Sequence, residues 1–397
     1  ERFQTADEFL AEFQAALAEA DRAFVSQLLP LAEREPARQP ASITPTKPSV
    51  PAHATTEPYA ARLEITPPEP SLPPKVVDFV GRASELAGLA DQLASKHLVV
   101  IMGMPGIGKT AMASELARQK GQPTHTFWHS FHEGEGVNVL IWKLAAFLAW
   151  HDQSGLWNTL QGATQPGSQS PPAEVLLDYL FQMVRGQGYL LCLDDFHWVD
   201  EDPLLEKFIE RLQPALEASQ VSVILATQRR PAFVLESDVT PLGGLTLADM
   251  RLLLARRGLV LSDETIADLR ACTDGNAQLV MLAVDTLRRA KEPSRVISRL
   301  CESGQIERFL VTRVDEGLSD EERSVMSAVA ALLGYPGTRD ALAAVLDGAS
   351  VRRPLNELVS RSLIAVVEGE SGREYTLNAM VRAYYYDLLG KRERQAM

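Results

Sequence analysis

Gly103-Met104-Pro105-Gly106-Ile107-Gly108-Lys109-Thr110 satisfies every fixed position of a phosphate-binding loop. It lies between an apolar run at 97–102 and a helical pattern at 109–119, the context such a loop needs. Glycines let successive backbone N–H groups turn inward around phosphates, and the helix that starts near Lys109 adds its positive end. Lys109 would reach the β- and γ-phosphates, and the Thr110 hydroxyl would face Mg2+.

Working outward, short apolar runs at 125–131, 189–194 and 221–227 alternate with helical patterns at 138–150, 172–185 and 203–218. Strands without in/out alternation, separated by helices, predict a parallel sheet covered on both faces. The Gly- and Gln-rich stretch 155–172 reads as a surface excursion. The run at 189–194 ends in Asp194 and Asp195, at the strand end that opens into the ligand crevice of such sheets. Asp194 would hold Mg2+ and Asp195 would orient and deprotonate a water. Asp200, Glu201 and Asp202 read instead as the acidic first turn of the next helix. The run at 221–227 ends in polar and basic residues, where Arg229, or alternatively Arg230, could meet a γ-phosphate.

His125, His129 and His132 do not share one face of a strand, so they do not read as a metal site. Trp142, Trp150 and Trp157 read as helix-packing residues. Cys192, Cys272 and Cys301 are far apart in the sequence and in no metal-ligand spacing, as expected of reduced thiols in a cytoplasmic protein.

On either side of this region the pattern changes. Residues 1–34 carry apolar positions at helical spacing (Phe9, Phe13, Leu17, Phe24, Leu28) and read as amphipathic helices. Residues 35–75 hold 11 of the 24 prolines and few large apolar side chains, so they read as a linker. The P-loop domain then spans 76–238. An all-helical domain follows at 239–305, with helices at 246–257, 262–272, 277–290 and 294–302. Helices at 306–316, 320–333, 338–346 and 353–362, a hairpin at 363–377 and a closing helix make 306–397 a winged-helix domain.

The 397 residues, 46% hydrophobic and 23% charged, suit several globular domains. A net charge of −13 repels phosphate backbones and anionic lipid over most of the surface, so DNA is not the expected partner. No apolar run is long enough to span a bilayer, so no membrane is expected either. The chain opens on Glu1 rather than Met, which suggests a piece of a longer protein.

These motifs, in this order, resemble the STAND class of signalling ATPases, the NB-ARC and NACHT-type switches, over about 320 residues from Phe79 to the end. Phe79-Val80-Gly81-Arg82-Ala83-Ser84-Glu85 is similar to the segment whose backbone contacts adenine in that class. Asp194-Asp195-Phe196-His197-Trp198 resembles the double-Asp strand of bacterial members, and Thr227-Gln228-Arg229 the T-x-R sensor. The resemblance implies an α/β P-loop NTPase with a parallel sheet, followed by a helical and a winged-helix domain. It also implies nucleotide contacts from Val80, Gly81, Arg82, Gly103, Pro105, Gly106, Ile107, Gly108, Lys109, Thr110, Ala111 and Asn378, with Mg2+ on Thr110 and Asp194. ADP would hold a closed form, ATP would release it to a homo-oligomer joined to an effector or adaptor, and hydrolysis would be slow. Two motifs depart from the class: Gly275-Asn276-Ala277 lacks the proline of G-x-P, and Leu377-Asn378-Ala379 lacks the His and Asp of M-H-D. An AAA+ ATPase of the origin-recognition type, with a DNA-binding winged helix, is the alternative; a nucleotide-binding scaffold that never hydrolyses ATP is a further one.

Overall fold

Continuous apolar strands make sense here because each serves two cores. β1 (Leu98–Met102), β2 (Thr126–Ser130), β3 (Tyr189–Asp194), β4 (Val221–Thr227) and β5 (Val239–Pro241) pair in parallel in the order β2-β3-β4-β1-β5. Side chains alternate across the sheet. Val99, Ile101, Leu190, Cys192, Ile224 and Ala226 enter one core, with Leu89 of α1 (Ala83–Lys96) and Leu116 of α2 (Lys109–Lys120). Val100, Leu191, Leu193, Val223 and Leu225 enter the other. That face is covered by α3 (Val137–Ala149), α4 (Gly155–Ala163), α5 (Ala173–Val184) and α6 (Leu205–Glu217). The chain is thus an α/β P-loop NTPase fold.

The computed structural model describes residues 65–396, apart from 77, 78, 165–167, 169, 370 and 371. The helices expected at 1–34 and residues 35–64 of the linker expected at 35–75 lie outside these residues. Residues 65–76 have no regular structure, yet polar side chains of the α/β region hold them. Trp157 Nε1 and Gln161 Nε2 donate to the Ile65 carbonyl (3.2 and 2.6 Å), and Trp150 Nε1 donates to that of Pro67 (3.1 Å). Ser114 Oγ and Arg118 Nη2 donate to the Pro74 carbonyl (2.5 and 2.7 Å). Proline-rich chain has carbonyls to spare and few N–H groups, so an indole or guanidinium donor is a suitable fastener. Trp150, expected to pack a helix, is half exposed and serves this role instead. The expected surface excursion at 155–172 is also corrected: α4 buries Leu156, Trp157 and Leu160.

Beyond β5 the chain is helical: α7 (Leu247–Arg256), α8 (Asp263–Thr273), α9 (Ala277–Arg288), α10 (Pro293–Glu302) and α11 (Ile306–Glu316). Thr246, Ser262 and Asn276 cap α7, α8 and α9 with side-chain oxygens. Then follow α12 (Asp320–Ala331), β6 (Gly337–Thr338), α13 (Arg339–Val345), α14 (Arg352–Ser360), β7 (Ala365–Gly369), β8 (Gly372–Thr376) and α15 (Ala379–Ala396). The antiparallel order β6-β8-β7 and the helices before it have the element order of a winged helix. Leu253, Leu269, Leu282, Leu300, Leu310, Val325, Leu358 and Tyr385 belong to one continuous core. The segments on either side of residue 305 therefore pack as one body. Among the described residues no helix is long and apolar enough to cross a membrane.

One buried ion pair reinforces that body. Arg361, after α14, donates from Nε and Nη2 to both carboxylate oxygens of Asp285 on α9 (2.8 and 2.9 Å). Arg361→Ala would strand a buried carboxylate, with Arg289 Nη2 3.8 Å away as partial relief. The expected loss is about 3 kcal/mol of unfolding free energy in a urea titration. A loss under ~0.5 kcal/mol would mean that the pair does not fasten α14 to α9.

Candidate nucleotide site

The loop after β1 folds back at two glycines with left-handed backbone, Gly106 (φ 76°) and Gly108 (φ 107°). At Gly103 closeness is the constraint, since a Cβ there would lie 2.9 Å from Ile107 Cγ2 and 3.2 Å from the Leu242 carbonyl oxygen. Ile107 plugs the core under the loop. Lys109 is only 6% exposed, and its Nζ donates to the Met104 carbonyl (3.1 Å). Burial pulls the Lys109 ammonium below its ordinary range, and the charges of Asp195 and Asp194 push it back.

Asp194 ends β3 opposite Ser130, and is 3% exposed. Its Oδ1 has no hydrogen-bond partner among the described residues. Burial and the Asp195 charge raise its carboxyl to about 7, against the Thr110 hydroxyl, the Asp195 N–H and Lys109. A buried, unpaired carboxylate oxygen beside a hydroxyl fits a divalent cation, which would satisfy the oxygen and neutralise the charge. Asp195 has a left-handed backbone (φ 49°), which turns the chain out of the sheet into a short 3-10 turn, Phe196–Trp198. Its carboxylate is partly exposed, with His197 Nδ1 3.9 Å from Oδ1.

Arg229 and Arg230 separate after β4. Buried Thr227 accepts the Arg229 N–H and donates to the Arg229 carbonyl (3.4 and 2.8 Å). Arg229 Nη2 donates to the His197 carbonyl (3.1 Å), and its Nε lies 3.9 Å from Asp200 Oδ2, so it stands over the turn that follows Asp195. Arg230 Nη1 donates to the Val234 carbonyl (2.6 Å), in the next turn. The three acids after that 3-10 turn depart from expectation. α6 begins at Leu205, and Asp202 spans two helix starts, accepting from Val137 N (2.9 Å) and Leu204 N (2.6 Å).

At the other end of the loop, Val80 is buried in the helical core and Gly81 (φ 64°) fits against Asp249, whose carboxylate a Cβ would strike. Arg82 Nη2 donates to the carbonyls of Ile107 and Gly243, both at 3.0 Å, while its buried Nη1 lacks a partner among the described residues. Ala111 lies in the first turn of α2.

The helical region grips the loop where the sequence shows only a missing proline. Asn276 Nδ2 donates to the Pro105 carbonyl (2.9 Å), and Gln278 N to that of Gly106 (3.0 Å). An N-cap of α9 thereby binds carbonyls that turn outward when the loop's N–H groups turn inward. Asn378 caps α15 in the same manner: its Oδ1 accepts from Val381 N (2.9 Å), leaving only the amide nitrogen to donate elsewhere.

Two of the three histidines meet one carboxylate. The loop after β2 bends, placing Glu135 Oε2 3.4 Å from His129 Nε2 and Oε1 3.5 Å from His132 Nδ1. Burial pushes the Glu135 carboxyl up, but the two imidazoles prevail and hold it well below the usual carboxylate range. The Tyr335 ring, between α12 and β6, stacks on His132 (4.3 Å between centroids, 15° between planes). Partial burial and Glu135 push the Tyr335 hydroxyl up. This loop follows Ser130, the neighbour of Asp194, so Tyr335 of the C-terminal region packs on the loop that borders the double carboxylate.

Residues 78–224, less than half of the chain, match the family described as "AAA ATPase domain". No curated protein matches the chain. Among solved structures, a Signal Transduction ATPase with Numerous Domains with a tetratricopeptide repeat sensor, from Pyrococcus horikoshii, is similar at 23% identity and a TM-score of 0.60. The likeness covers 83% of this chain and 44% of that one, so this chain spans less than half of that protein's length. At that identity it shows a shared fold. Cdc6p from Pyrobaculum aerophilum (17% identity, 82% of this chain and 97% of that one) has a TM-score of 0.41. The Orc1 protein of Aeropyrum pernix, solved with DNA (18% identity, 79% and 94%), has a TM-score of 0.35. Neither likeness is close enough to carry an argument. Residues 78–224, which carry the phosphate loop and the double-Asp strand end, are thus similar to an AAA ATPase domain.

Proposed function

We propose that this chain is an ATP/ADP-dependent, Mg2+-requiring switch of STAND type, closed with ADP, assembling into a homo-oligomer with ATP, and reset by slow hydrolysis. One observation carries the reading: the C-terminal body meets the phosphate loop through Asn276 and Gln278 on the loop's carbonyls, and the loop after β2 through Tyr335 stacked on His132. Because that body has a single core, a change at either contact is passed to all of it.

The nucleotide would supply the bond to be cleaved, and Mg2+ the Lewis acid. Lys109 places its ammonium at the phosphates, Thr110 and Asp194 hold the cation, and Asp195 takes the proton from water. Arg229, held over the turn after Asp195, supplies a counter-charge that can register the γ-phosphate. Mass measurement with ADP, ATP and a non-hydrolysable ATP analogue tests the switch. Expected is a monomer with ADP and a larger assembly with ATP or the analogue; the same mass in all three states would overturn it.

The winged helix should not bind DNA with sequence specificity. Arg361, which follows α14, is committed to Asp285, leaving Arg352 and Arg353 at the start of that helix on an acidic protein. Fluorescence titration at ~0.15 M salt is expected to show no binding tighter than ~1 μM. Tighter binding with a steep salt slope would favour the origin-recognition alternative.

Asn378 occupies the place of the class histidine. Asn378→His would restore a group able to donate a charge-assisted bond to a β-phosphate, slowing ADP release roughly tenfold for 1–2 kcal/mol. It would also remove a helix cap, costing about 1 kcal/mol of stability, so the rate of ADP release is the deciding measurement. An unchanged rate would mean that residue 378 does not face the nucleotide.

A further inference from the structure

Cys272 and Cys301, remote in the sequence, meet in the fold. They stand near the C-terminal ends of α8 and α10, which pack side by side. Both thiols point at one acceptor, the Asp268 carbonyl oxygen, 3.1 Å from Cys272 Sγ and 3.7 Å from Cys301 Sγ. Cys301 is exposed and Cys272 half-buried, whereas Cys192 is sealed inside the sheet. Two thiols sharing one carbonyl, one of them open to solvent, form an arrangement that packing alone does not require.

We propose that Cys272 and Cys301 are a redox-responsive dithiol, closed to an intramolecular disulfide by low-molecular-mass disulfides of the glutathione type. The Cys301 thiolate attacks one sulfur of RS–SR, whose S–S bond breaks, and RS⁻ leaves with the electron pair. Cys272 then loses its proton and attacks Cys301 Sγ; the Cys272–Cys301 bond forms and the second RS⁻ leaves. Two protein thiols are oxidised by two electrons, RS–SR is reduced, and the two protons end on the two RSH products. Burial and the neighbouring Cys301 push the Cys272 thiol up to about 12, so the exposed Cys301 reacts first and Cys272 resolves.

The location gives the bond a consequence that rests on the switch reading. Cys272 is followed by Thr273-Asp274-Gly275-Asn276, where the Gly275 carbonyl accepts from Leu245 N (2.8 Å) and Asn276 reaches the Pro105 carbonyl. A cross-link to α10 would stiffen the segment that grips the phosphate loop.

The test treats the full chain with glutathione disulfide, alkylates free thiols and maps the peptides. Expected is a cross-linked peptide pair containing Cys272 and Cys301, with Cys192 alkylated only after denaturation. Cys272→Ser should stop at a glutathione adduct on Cys301, and Cys301→Ser should form neither adduct nor cross-link. A wild-type chain that stops at the Cys301 adduct, or forms only Cys301–Cys301 dimers between chains, would overturn the dithiol. Release of a fluorescent ADP analogue is expected to differ severalfold between the reduced and cross-linked forms. Equal rates would overturn the consequence for the loop. Failure of the reduced chain to bind the analogue would instead count against the switch reading and leave the peptide map standing.

Discussion

Lys109→Ala should lower ATP and ADP affinity a hundredfold or more in an equilibrium titration. The ammonium is folded over the loop, nearly buried, with its Nζ on the Met104 carbonyl and the carboxylates of Asp194 and Asp195 acting on it. Truncation leaves two acids in a cleft meant for polyphosphate, so the change removes an attraction and exposes a repulsion. Losing one member of a buried charge pair costs about 3 kcal/mol or more, which is the stated hundredfold. The fold should persist, because the cores on both faces of the sheet are formed by other side chains. Affinity within threefold of wild type would overturn the assignment of the loop.

Asp195→Asn should keep Mg2+-ATP and lose turnover by about 10²–10⁴. Asn is the informative substitution because residue 195 is left-handed (φ 49°), a conformation that Asn tolerates and Ala does not. The carboxamide preserves the turn into Phe196 while removing the proton acceptor. Thr110 and Asp194 would still hold the cation, so binding and hydrolysis should separate. The variant should also remain longer in the assembled state with ATP, visible as a larger mass that does not decay. Hydrolysis at the wild-type rate would assign Asp195 another role, with His197, 3.9 Å away, the next candidate for the proton.

The elements most legible in the sequence are those whose residues answer to burial alone. β3 and β4 coincide with their apolar runs because every apolar side chain in them enters one core or the other. The phosphate loop and the double-Asp strand end are legible because their chemistry demands fixed residue types at fixed spacing. β5 and α4 escaped the reading because their patterns are short or diluted. β5 is three residues long and exists only because Val239 and Thr240 pair with Val100 and Ile101. In α4 a short apolar stripe is diluted by Gly, Asn and Gln, which imitate a loop.

Periodicity and motif therefore determined four of the five strands of the parallel sheet, the order of the helical regions and the phosphate loop, all properties of contiguous stretches. Tertiary structure alone decided which polar groups from distant segments meet: Asn276 with Pro105, Tyr335 with His132, Arg361 with Asp285, and Cys272 with Cys301. The local pattern tells a side chain whether to face the core or the solvent. Its hydrogen-bonding partner is fixed only when helices joined by loops pack around a shared core, since an amide, a ring or a thiol has no period that names the group it will touch.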